Sequence, residues 1–135
     1  TLRAMLERLM ARLRGAAVEV RRLTLTLRYT DRQESQRSET SGEPTNLETD
    51  FDSRLPALLR SAWSRRVRLR GLSLSASMLY RPSPQLELFA VGAEQRRREC
   101  ALAAAIDAVR RKYGESAVRR GCWIAPAAGF RPAPI

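Results

Sequence analysis

Arg22-Leu23-Thr24-Leu25-Thr26-Leu27-Arg28-Tyr29-Thr30-Asp31 decides the fold. Leu23, Leu25, Leu27 and Tyr29 alternate with Arg22, Thr24, Thr26 and Arg28. Successive side chains of a strand point to opposite faces, so this period of two gives one apolar face and one polar face. The segment from about Val18 to Thr30 is therefore read as a half-buried strand. Asp31-Arg32 marks a short turn. Residues 33–41 have no apolar face, and composition alone reads them as a loop. Pairing with the preceding strand through a tight turn would instead make them a hairpin strand near a sheet edge.

Upstream, Leu2, Met5, Leu6, Leu9, Met10 and Leu13 recur at the spacing of one helix face. Gly15 is a natural stop. No capping residue precedes this helix, so the chain is expected to be cut from something longer. Downstream, residues 42–52 are acidic and turn-rich, beginning Gly42-Glu43-Pro44. Thr45 with Glu48 has the spacing of a capping box. Phe51, Leu55, Leu58, Leu59 and Ala62 form the apolar face of a second helix. Proline costs roughly 3 kcal/mol in a helix interior but is harmless in the first turn, so Pro56 places the regular start near Asp52 or Ser53. Arg65 to Met78 reads as a strand whose phase changes at Gly71. A bulge there would bring Val67 and Leu69, and then Leu72, Leu74, Ala76 and Met78, against one core.

A third helix spans about Glu94 to Tyr113, with Leu102, Ile106, Val109 and Tyr113 as its apolar stripe and Gly114 at its end. Cys100 lies in this helix and reads as a small buried apolar group. The tail from Ala125 to Ile135 is rich in Ala and Pro, has no periodicity, and is expected to be disordered.

Charge narrows the partner. The formal net charge is +11, there is no histidine, and Lys112 is the only lysine. Guanidinium groups form two-pronged hydrogen bonds to phosphate, which ammonium groups do not. The excess is uneven: residues 1–64 carry 11 basic and 9 acidic groups, residues 65–135 carry 14 and 5. Such asymmetry points to a polyanion-binding region. The sequence carries no catalytic motif. The commonest general base is absent, and there is no phosphate-binding glycine loop and no nucleophile elbow. Glu43, Glu48, Asp50 and Asp52 read as a solvated loop and helix start, where carboxylates favour the helix dipole, rather than as a metal site. Cys100 and Cys122 match no metal spacing and give no disulfide framework. No apolar run is long enough for a membrane span and no signal peptide opens the chain, so the expectation is a cytoplasmic protein.

Gln85-Leu86-Glu87-Leu88-Phe89 follows Pro82 and Pro84 and precedes Gly92. Proline biases the preceding residue toward extended geometry. Apolar side chains in an extended, exposed stretch suit a peptide that docks in another protein's pocket, although Leu86, Leu88 and Phe89 could instead fold back on the core. The pattern resembles the motif by which bacterial DNA polymerases and repair proteins bind the sliding clamp.

The wider resemblance is more specific. Arg22 to Asp31 resembles the first hairpin strand of the little-finger domain of Y-family translesion DNA polymerases. Arg37-Ser38-Glu39-Thr40 resembles that family's Arg-Ser-x-Thr on the next strand, and Val67 to Ser75 its third strand. Ala105 to Gly121 resembles the helix that follows the clamp motif. The resemblance implies an α+β fold: a small antiparallel sheet, three strands here of the family's four, with helices packed on one face and a C-terminal helix. It implies a little-finger domain at 1–80, a clamp-binding segment at 81–93, a C-terminal helix at 94–122 and a tail at 123–135.

The implied partners are primer–template DNA, gripped along its phosphate backbone, and the sliding clamp, with no membrane and no small-molecule substrate. Location would be cytoplasmic and nucleoid-associated. DNA-binding residues are expected to be Arg22, Arg28, Arg37, Arg66, Arg68 and Arg70, on the polar sheet face. Clamp-binding residues are expected to be Gln85, Leu86, Leu88 and Phe89. The family's Mg2+ belongs to catalytic domains that this chain does not resemble, so no cofactor and no catalysis are expected of the chain alone. Glu34 and Glu39 depart from the family, which is often basic or neutral there. Either they point away from DNA or they weaken the grip. The alternative reading is an adaptor that binds the clamp and barely touches DNA.

Overall fold

The computed structural model describes residues 2–82 and 92–121. In chain order they form α1 (Leu2–Gly15), β1 (Glu19–Tyr29), β2 (Glu34–Thr45), α2 (Thr49–Asp52), α3 (Leu55–Ala62), β3 (Leu69–Tyr80) and α4 (Ala93–Tyr113). The strands make one antiparallel sheet in the order β2-β1-β3. This is the expected α+β architecture.

The alternation in β1 sets the layers. Leu23, Leu25, Leu27 and Tyr29 are all buried under the helices. Leu23 joins Leu6, Met10 and Leu13 of α1 together with Phe51 and Leu55, while Leu25, Leu27 and Tyr29 pack with Leu58 and Ala62 of α3. Fully burying side chains of this size stabilises by about 1.5–3 kcal/mol each. Val20 and Leu23 share a cluster although three residues apart, so the alternation breaks between them. The break coincides with a register shift in the β1–β2 ladder between Val20 and Arg22.

Residues 33–41 do pair back as a hairpin strand. Asp31 Oδ1 accepts the Gln33 N–H at 3.1 Å, the Tyr29 N–H donates to the Gln33 carbonyl at 2.9 Å, and Arg32 takes a φ of 66°. An aspartate bonding the backbone two residues on is a standard turn device. β2 runs further than expected, through Gly42-Glu43-Pro44 to Thr45. Val20 pairs with Thr45 and Arg22 with Thr40, so extra β2 residues bulge outward there. A proline is tolerated at a bulge on an edge strand.

The phase change in β3 resolves as the expected bulge. Arg28 pairs with Gly71 but Tyr29 pairs with Leu69, so Arg70 is the extra residue. Val67, Leu69, Leu72 and Leu74 accordingly pack against the second core cluster and Ala76 against the first, but Met78, expected on the same core, is 38% exposed.

Four local expectations need correction. The capping box does not form: Thr45 Oγ1 accepts the N–H of Leu47 at 3.1 Å and bonds Asp50, while the Glu48 carboxylate is taken by Arg14. The second helix is two pieces, α2 and α3, with Pro56 at the start of α3. Cys100 is exposed, not buried. Most importantly, the stripe of α4 does not face the core: Leu102 is 58% and Tyr113 68% exposed, and Ala103 is the helix's one buried residue.

Candidate nucleic-acid interface

The side of the sheet away from the helices is polar throughout its centre. Directly paired residues of an antiparallel ladder share a face. Arg22, Thr24, Thr26 and Arg28 of β1 therefore lie beside Thr40, Ser38, Gln36 and Glu34 of β2. On the other flank they meet Ser77, Ser75, Ser73 and Gly71 of β3. The result is a floor of hydroxyls with guanidinium groups at both ends. Thr24 and Ser38 share a hydrogen bond of 2.9 Å across it. Small side chains let another molecule approach the strand backbones closely.

At the hairpin end, Arg28, Arg32 and Arg70 surround an open concavity of about 400 Å³ that Glu34 and Gly71 also line. Arg28 Nε donates to Glu34 Oε1 at 2.8 Å, with both side chains more than half exposed. Such an exposed pair is worth little, about 0–1 kcal/mol, and exchanges easily for another anion. Arg22 donates to Thr40 Oγ1 at 3.3 Å. Arg68 and Arg70 are exposed and make no ion pair among the described residues. Arg68 is anchored through its backbone, whose carbonyl accepts the Thr30 N–H at 3.0 Å. Arg66 is exposed in the bend before β3. Its neighbour Arg65 is engaged instead, with Asp31 at 2.7 Å and over the ring of Tyr29.

The structure does not bring all six expected arginines together. Arg37 pairs with Leu25, so it lies on the helix-bearing side of the sheet, at its β2 edge. The bond from the Ser35 hydroxyl to the Ala62 carbonyl, 2.7 Å, fixes the same side for the odd-numbered residues of β2. Glu39 pairs with Leu23 and meets Arg54 at 3.1 Å, so it points away from the polar face. Glu34 stays on that face, matched by Arg28. Arg32 was not expected here. Its turn position carried no face signal; it has a φ of 66° and lines the same concavity as Arg28.

A second set of charges lies on the helix side. Arg14 donates to Asp107, to Glu48 and to the Asn46 carbonyl. Burial opposes its charge, but the bonds to Asp107 and Glu48 more than offset that and hold the guanidinium above the usual arginine range. No sequence spacing announces this site, because Arg14 and Asp107 are 93 residues apart.

With this geometry in hand, residues 1–88 match the family model for the C-terminal domain of the impB/mucB/samB family. The chain belongs to that family. It is also 33% identical over 130 residues to DNA polymerase IV of Opitutus terrae, covering 96% of this chain and 31% of that polymerase. The chain thus spans about a third of the length of the curated relative it matches. The little-finger resemblance of β1, β2 and β3 is in agreement with both findings. Gln85, Leu86, Leu88 and Phe89 lie outside the described residues, as do residue 122 and the tail at 123–135. Among the described residues no helix is long and apolar enough to cross a membrane, and no group of His, Cys, Asp and Glu is placed to hold a metal ion.

Proposed function

We propose that this domain grips duplex DNA without regard to sequence, as the DNA-holding part of a translesion polymerase. The observation that carries the reading is the helix-free sheet face, with hydroxyls in its middle and Arg22, Arg28, Arg68 and Arg70 at its ends. Phosphate contacts position a protein on DNA and carry no sequence information directly, which suits a polymerase that must accept any template. Among the described residues the face has no aromatic platform of the kind that stacks single-stranded bases. The chain supplies grip and not chemistry; catalysis and its Mg2+ belong to the rest of a polymerase. A second element, Gln85 to Phe89, recruits the sliding clamp, with Leu88 and Phe89 in an apolar pocket, Leu86 beside them and Gln85 at the rim.

Fluorescence anisotropy on primer–template DNA over a range of salt tests the main reading. Each neutralised phosphate contributes a slope of roughly −0.9 in log affinity against log salt, so four arginines give about −3 to −4. A slope near zero, or preference for one sequence, would overturn it. A flat slope with intact clamp binding would support the adaptor reading instead. That reading is favoured by one observation: Glu34 sits on the polar face and already occupies Arg28.

A further inference from the structure

Helices usually dock by burying an apolar stripe. α4 does not. Neither core cluster contains a residue of α4, and Leu102, Val109 and Tyr113 of its apolar stripe are exposed, with Ile106 partly buried. What holds it is charge. Asp107 of α4 takes two bonds from Arg14 of α1, at 2.6 and 2.9 Å. Arg110 meets Glu7 of α1 at 3.2 Å. Arg96 reaches Asp50 at 2.8 Å and the Thr45 hydroxyl at 2.9 Å.

Several of these groups have left water to do so. The side chains of Glu7, Arg14, Asp107 and Arg110 are all 11–13% exposed, and Glu48, which also binds Arg14, is 3% exposed. One Glu48 oxygen is buried without a hydrogen bond, 3.5 Å from Arg120. Desolvating a charge pair can cost as much as its attraction returns, so such a seam has small net strength. Undocking opens Asp107, Arg110 and Glu7 to water, and little apolar burial opposes it: Ala103 is buried, and Ala93 and Ile106 are only partly so. The apolar core under β1 loses nothing when α4 leaves.

We propose that α4 is a detachable arm, released from the folded sheet body when its ion pairs are screened. Release is local. α1, the sheet, α2 and α3 stay packed on their two clusters. The freed segment 93–121 carries 8 basic and 4 acidic residues, so it leaves as a cationic arm. Docking also fixes the separation of Pro82 and Gly92, the described residues that bracket 83–91 in the chain; release unfixes it.

Hydrogen exchange on the whole chain, at about 50 mM and about 500 mM NaCl, tests this, since salt shortens the screening length from about 14 Å to about 4 Å. Undocked, the helix loses the tertiary contacts from which most helical stability in proteins comes, so its amides exchange. The expected result is exchange at least about tenfold faster in Ala103–Lys112 at high salt, with the β1 amides unchanged. At low salt Asp107→Asn should reproduce the acceleration, while Leu102→Ser with Tyr113→Ser should not. Salt-insensitive α4 amides, or loss of α4 and β1 protection together, would overturn the proposal. So would an acceleration by the double serine variant that Asp107→Asn fails to give.

Discussion

Arg37 lies directly across the β1–β2 ladder from Leu25, whose side chain is fully buried beneath α3. The pairing puts the two on one side of the sheet, and it is not the side that carries Arg22, Arg28 and Arg70. An arginine cannot serve the polar face from there.

The first prediction separates these positions. Arg70→Ala should weaken DNA binding uniformly across sequences and lower the salt slope by about one. Arg37→Ala should leave both nearly unchanged. Anisotropy titrations at several salt concentrations read the difference, and equal losses from the two variants would mean that DNA lies along the β2 edge.

A second prediction concerns the core. Phe51 is 1% exposed and joins α1 to β1. Phe51→Ala should cost about 3–5 kcal/mol in urea unfolding. Leu102→Ala, on the water-facing stripe of α4, should stay within about 0.5 kcal/mol.

Clamp recruitment predicts a clean separation of effects. Leu88→Ala with Phe89→Ala should abolish binding to the sliding clamp in a pull-down or surface-binding measurement. DNA affinity and melting temperature should not move. A large fall in melting temperature would place these side chains in the protein's own core.

The fourth prediction is a pH dependence. Burial pushes the Glu19 carboxyl above its usual range, and the Arg96 charge opposes this only in part. The folded state therefore favours protonated Glu19. Its contribution to stability is full below the ordinary carboxylate value and is lost as pH rises through the raised one. Glu19→Gln should melt higher than the parent at pH 7, and the gap should close on acidification to about pH 4. Thermal melts at the two pH values check it; a gap that widens in acid would contradict the assignment.

The sheet was legible from β1 outward because one strand with a strict period of two fixes both faces. The bulge at Gly71 was legible for the same reason: two apolar runs of opposite parity have to meet the same core. Which face each β2 residue takes was not legible. Arg37 and Glu39 alternate with Ser38 and Thr40, and with no apolar side chain among them nothing in the strand marks inside from outside. The docking of α4 misled for a different cause. Leu102, Ile106, Val109 and Tyr113 obey the helical period, but periodicity reports only that a face exists, and long-range pairs such as Arg14 with Asp107 decided which face turned inward. Cys100 was misplaced by the same rotation.

The bulge of β3 also sets what kinds of genetic change this domain can absorb. Gly71 has an ordinary backbone conformation, and a Cβ there would sit 4.0 Å from that of Arg28, so replacement by alanine is sterically free. Loss of a codon is another matter. Without Arg70 as the extra residue, Val67 and Leu69 would turn out to water and their polar neighbours would turn into the core. Lineages can therefore exchange the residues of this stretch far more readily than they can shorten it.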